Sequence, residues 1–198
     1  MKLYTLAVAY IVPVLFTAHI IAPDTYDWTQ HTISQLAAQG YGFSWVMDMG
    51  FIGFGALVLA AALRRLLLDP VNKWTEGPLL VCGLMFLLSS IFSTRPYIAG
   101  IPHSEIEASI HGIMGTLARI TVSVSMLAYA IVDTPKNRRA VHAIFFASVI
   151  ILNALLEILS FAQGTAQRVL VTAVLTWLVF IDMRRSRSQR QEAPKSSV

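Results

Sequence analysis

Charge and cysteine are the scarce ingredients of this chain. Lys, Arg, Asp and Glu together make up 13% of its 198 residues, where a soluble domain carries roughly 25%. That shortage, with long apolar runs and a mean hydropathy of +0.63, excludes an ordinary water-soluble domain. The single cysteine, Cys82, excludes an intrachain disulfide and any cysteine-based metal motif. It reads as a small buried apolar side chain. No internal repeat is present. The net charge of +4 does not indicate a nucleic-acid partner, because the cations sit in short clusters between apolar runs.

Six apolar stretches are present, at about Tyr4–Ile21, Tyr41–Leu63, Pro78–Phe92, Ile106–Val132, Val141–Phe161 and Val169–Ile181. Most approach the roughly 20 residues that span a bilayer. They are unbroken runs rather than alternating ten-mers, which favours helices over a barrel. The third is short and is expected to extend through Ser93 and Thr94. The fold class is therefore all-α: a polytopic bundle of six transmembrane helices over residues 1–183. A basic tail follows over 184–198, expected to be disordered. The first stretch reads as a retained helix, since one side-chain charge precedes it and no small-x-small site precedes Asp24.

Cations mark alternate loops. Lys2, then Arg64, Arg65 and Lys73, then Lys136, Arg138 and Arg139, then Arg184 onward flank one side. The opposite loops hold only Arg95 and Arg168. The positive-inside rule places both termini in the cytoplasm of a cell bounded by this inner, or plasma, membrane. In the first outer loop, Thr32 and Gln35 fit a capping box with Gly40 as a stop signal. This predicts a short helix at the outer interface, among the belt aromatics Tyr26, Trp28, Tyr41 and Trp45.

One polar row stands out. His103, Glu107, His111, Gly115 and Arg119 are each four residues apart, so they stack along one helix face. Ionisable groups inside a bilayer are costly and indicate function. Asp48, Asn153 and Glu157 fall in the outer half of their helices too, and His31, Ser34 and Arg95 lie in outer loops. His142 and Asp182, at the cytoplasmic boundary, are the exceptions. The expectation is an outward-open polar pocket above a cytosolic half nearly bare of titratable groups. Arg119 is deepest, and its expected partners are Asp48 and Glu157; the plain alternative is a pair that only fixes helix register. Gly50, Gly53, Gly55, Gly112 and Gly115 are expected to let the second and fourth helices approach, bringing Asp48 near the His111 face.

Three segments resemble a family of small bacterial and archaeal membrane proteins catalogued as domain of unknown function 998. They are His31-Thr32-Ile33-Ser34-Gln35-Leu36, the glycine-rich Gly50-Phe51-Ile52-Gly53-Phe54-Gly55, and Ile91-Phe92-Ser93-Thr94-Arg95-Pro96 followed by His111-Gly112. The resemblance implies a six-helix bundle with an important outer His/Ser/His cluster, and no settled activity. A weaker architectural similarity runs to the ceramidase and progestin-receptor superfamily of zinc-dependent membrane hydrolases. That pattern needs seven helices and a late histidine pair, whereas the last two helices here hold only His142.

Three chemical readings follow. In the first, the pocket binds or processes a lipid-like or isoprenoid-like molecule. Asp48, Glu157, Glu107 and His111 would be its catalytic groups, and His31, Ser34, Arg95, His103, Arg119 and Asn153 its binding groups. Turnover would then be acid catalysis by a buried carboxyl, as in membrane terpene cyclases. In the second, the chain is a non-enzymatic lipid-binding or accessory subunit. In the third, it is a zinc hydrolase using Glu107, His111 and His31. His103 and His111 are two turns, about 12 Å, apart and cannot share one ion, so no cofactor is favoured. Ser34 lacks a Gly-x-Ser-x-Gly context and is not favoured as a nucleophile. The partners expected are membrane lipids and a hydrophobic small molecule.

Overall fold

Each apolar stretch forms one helix. The computed structural model describes residues 2–68, 73–133 and 136–192. Its helices are α1 (Leu3–Ile20), α2 (Ser44–Leu68), α3 (Lys73–Ser89), α4 (Glu105–Val132), α5 (Lys136–Ile158) and α6 (Gln163–Glu192). Five are long and apolar enough to cross a membrane. The sixth, α3, has 17 residues and rises roughly 26 Å. Phe16, Leu67, Ile106 and Phe161 are 69%, 75%, 76% and 72% exposed. Apolar surface on that scale suits hydrocarbon and not water. The chain is a multi-pass membrane protein. Helix α6 continues past Met183 to Glu192, into the segment expected to be a disordered tail; 193–198 lie outside the described residues.

The helices pack as a closed ring in chain order. Each lies against its sequence neighbours, and α6 returns to α1. Among the described residues, no two helices on opposite sides of the ring make more than marginal contact. Glycines set the tightest joint. A Cβ on Gly55 would stand 2.7 Å from the Gly83 carbonyl oxygen, and one on Gly83 would stand 2.8 Å from that of Gly55. The α2 and α3 backbones therefore touch, and Gly50 and Gly53 receive Val14 and Tyr10 of α1. This corrects the expected approach of α2 to α4. Gly112 and Gly115 have nothing within 4 Å of an added Cβ. His111 meets α2 through Phe51, with ring centroids 6.1 Å apart, rather than through Asp48.

The end of the ring that carries both termini is tied by buried charge. Arg65 of α2 donates to Glu76 of α3 at 3.1 Å and to Asp182 of α6 at 2.6 Å. Tyr4 of α1 donates to the second Glu76 oxygen at 2.6 Å, and Tyr129 of α4 also donates to Glu76. Asp182 accepts from the Thr5 backbone at 2.8 Å. Glu76 is 0% exposed, and the Arg65 guanidinium lies 4.5 Å from the centroid of the Tyr4 ring. Alongside, His142 of α5 accepts from Trp177 Nε1 at 2.9 Å and meets Asp133 at 3.1 Å. The expectation that this half is nearly bare of titratable groups is overturned. Arg65 reads in sequence as a topology cation, and Glu76 falls before a span begun at Pro78. In fact α3 starts at Lys73, because Glu76 finds buried donors. It ends at Ser89, short of Ser93 and Thr94, where Ser93 is held by the Gln39 and Glu107 side chains and Thr94 by the Gln39 backbone.

Candidate functional site

The centre of the ring is a cavity of about 320 Å³, at the lower end of the range of small-molecule sites. Its depth is apolar: Met47, Phe54 and Val58 of α2, Leu79 of α3, and Leu178 of α6 line it. Positions 47, 51, 54 and 58 recur at helical spacing, so one stripe of α2 faces inward. Polar lining groups gather toward the end opposite the termini. They are Thr32 and Ser34 of the first loop, Thr94, His111, Gln163 and Gln167, with Arg119 and Glu157. The exposed members of the lining are Gly112 on α4 and Glu157 on α5. The mouth therefore opens between those two helices.

The polar row on α4 divides into two parts. Its upper half builds the wall. Ser104 caps the helix by accepting from the Glu107 backbone, which leaves His103 outside α4. His103 bonds the Ile101 carbonyl at 2.9 Å and the Glu105 carboxylate at 3.0 Å. Those two acceptors, Ile101 first, raise its pKa above the ordinary 6.5. Glu107 accepts from the Ser93 backbone at 2.7 Å. His111 Nδ1 sits 2.7 Å from the Phe92 carbonyl, so that nitrogen carries the proton. The Gln39 side chain reaches Ser93 and Ser104, and the Gln39 backbone donates to Thr94. These bonds hold the α3–α4 connection extended as one rim of the cavity.

The lower half of the row faces the cavity. Helix side chains lean toward their own N-terminus. Arg119 on α4 therefore leans toward the mouth, and Glu157 on antiparallel α5 leans down to meet it. They pair at 3.4 Å, with side-chain exposures of 25% and 72%. Arg119 Nη2 also donates to Thr116 at 3.1 Å. Its Nη1 and Nε make no hydrogen bond among the described residues. Of the two partners expected for Arg119, Glu157 pairs with it and Asp48 does not. Asp48 Oδ1 is a buried oxygen without a hydrogen-bond partner among the described residues, on the same side of α2 as Gly55, seven residues on, which faces α3.

The opposite rim comes from the first loop. Its short helix exists as a 3₁₀ turn, Ile33–Ala37, with Gln35 accepting from the Thr32 backbone at 2.8 Å. Rather than lying apart on the interface, it is drawn into the ring, with Ile33, Leu36 and Ala37 buried. Gln167 of α6 accepts from the Ile33 backbone. Arg168, in sequence a lone outer cation, is a clasp. It donates to His19 at 2.7 Å, Tyr26 at 2.6 Å, and the His31 and Gly164 carbonyls. His31 accepts from the Asp27 backbone at 2.9 Å and stacks on Tyr97 at 4.3 Å. Asp27 itself is held below the usual carboxylate pKa by the Thr29 hydroxyl and backbone.

Of the residues singled out in the sequence, Ser34, His111, Arg119 and Glu157 line the cavity. Asp48, Glu107, His31, His103, Arg95 and Asn153 do not. Arg95 pairs with Glu105 at the surface at 2.6 Å, and Asn153 bonds the Val149 carbonyl within its own helix. No three His, Cys, Asp or Glu side chains among the described residues converge as metal ligands. The zinc set Glu107, His111 and His31 is accordingly not assembled, because each member is engaged with a different backbone group. Sequence reading missed Thr94, Gln163 and Gln167 as lining residues. The two glutamines are one helical turn apart and carried a legible signal, but they precede a sixth span begun at Val169. Cys82 lines the cavity as a buried thiol.

The chain matches, over residues 5–181, the family described as "Protein of unknown function (DUF998)", and it belongs to that family. The first and third segments that carry the resemblance meet at the cavity's open end, through Thr32, Ser34, Thr94 and His111. No curated protein and no solved structure matches the chain.

Proposed function

Taking that membership as the premise, we propose that this protein binds an amphipathic, lipid-like molecule in its central cavity, with both termini in the cytoplasm and the mouth toward the outer leaflet. One observation carries the reading: a cavity apolar along its depth and polar only at one end. At roughly 30 Å³ per water-sized group, 320 Å³ holds a chain of about ten carbons. A dry apolar bore inside a membrane is stable when hydrocarbon fills it, and a polar rim orients one head.

Binding is favoured over acid catalysis by the placement of the carboxyls. Glu157 is largely exposed and faces Arg119 at 3.4 Å. Asp48 is outside the lining. The test is native mass spectrometry of protein extracted together with its bilayer, comparing wild type with Gly115→Phe. Gly115 lines the cavity and an added Cβ there meets nothing within 4 Å, so a bulky side chain at this position competes with a ligand for space. The expected result is a non-protein mass on the wild type that the variant lacks. Equal retention, or a wild type with nothing bound, contradicts the reading.

A further inference from the structure

We infer that the ligand is a single-chain amphiphile with an anionic head, taken by Arg119 in exchange for Glu157 at the mouth between α4 and α5. The inference rests on the cavity reading above and adds to it the charge of the head group.

Charge-assisted N–H···O bonds run about 2.7–2.9 Å. Arg65–Asp182 and Arg95–Glu105 both reach 2.6 Å, so well-closed pairs occur in this molecule. Arg119–Glu157 stays at 3.4 Å. The two members are also unequally placed. Glu157 is 72% exposed and sits one residue from the end of α5, whereas Arg119, in the middle of α4, is 25% exposed and requires an anion wherever it is desolvated. Its Nη1 and Nε are available as donors, and a guanidinium offers five in a fixed fork suited to phosphate or carboxylate. Directly beside it, Gly112 and Gly115 leave room with no atom within 4 Å of an added Cβ. One cation, one displaceable carboxylate, free space and an apolar bore below describe a seat for an anionic head above a single chain. A purely cationic head offers Arg119 no acceptor.

The test measures binding in phosphatidylcholine nanodiscs, with empty discs as the blank. Four probes are compared: dodecyl phosphate, dodecanol, dodecyltrimethylammonium and inorganic phosphate. The wild type is expected to hold dodecyl phosphate about tenfold more tightly than dodecanol, as one charge-assisted contact implies. Arg119→Gln erases that difference and leaves dodecanol unchanged. Glu157→Gln, which leaves the guanidinium intact, raises dodecyl phosphate affinity. Equal binding of dodecanol and dodecyl phosphate, unmoved in either variant, overturns the anionic head while leaving the cavity reading standing. Tighter binding of the ammonium probe overturns it too, by making Glu157 the recognition group. Inorganic phosphate competing as well as dodecyl phosphate assigns the site to free phosphate and overturns the amphiphile. Absence of dodecanol binding above the blank instead removes the cavity reading.

Discussion

The two ends of the ring use the same chemistry to opposite effect. At the terminal end, Arg65 faces Glu76 and Asp182, every carboxylate oxygen has a donor, and Glu76 is fully buried. At the mouth, Arg119 faces Glu157 across 3.4 Å with the carboxylate mostly exposed. Both are arginine–carboxylate contacts between helices. The first closes the base by satisfying all its members. The second leaves donors unspent beside open space. In this molecule the two ends are told apart by their unspent donors and not by the presence of charge.

The sharpest break between the ends is expected in stability. Arg65→Met leaves Glu76 and Asp182 buried without their cation. The expected loss is about 3–5 kcal/mol, read by denaturation in detergent. Glu157→Gln at the mouth costs less than about 1 kcal/mol, as exposed pairs do. Comparable losses at the two sites would erase the distinction. Glycines sharpen it at a smaller scale. Gly83→Val drives a side chain into the Gly55 carbonyl and costs about 1–3 kcal/mol. Gly112→Ala meets nothing and is expected to gain roughly 0.5–1 kcal/mol from helix propensity. The smallest effect lies at the rim formed by the α3–α4 connection. The pKa of His103 is raised in the folded chain, so its bonds to Ile101 and Glu105 favour folding fully below pH 6.5 and lose that contribution as pH rises through the folded value. An NMR titration of the His103 ring should give a midpoint above 6.5; a midpoint at or below it contradicts the geometry.

Helix number and order were legible in the sequence, because 20-residue apolar runs obey the membrane's own constraints. The Arg119–Glu157 partnership was legible as well, since a deep cation needs an anion. The base network was not. Arg65 carries the same signal as any loop cation, and only the packing of α3 one turn earlier than its apolar run turns Glu76 inward. The polar row on α4 was legible as a row but not as two functions. Spacing puts Glu107, His111 and Arg119 on one face, but it cannot say that the first two serve the Ser93 and Phe92 backbone while the third faces open space. Glycine spacing likewise says that something approaches closely, and not which helix it is.

The asymmetry between sealed base and open mouth is tested most directly by locating a bound chain. Crystals grown with ω-bromododecyl phosphate allow the bromine to be placed by anomalous scattering. The account predicts the bromine inside the ring near Leu79 and Leu178, with the phosphate beside Arg119. A bromine on the outer face, among Ile113 and Ile150, would contradict it.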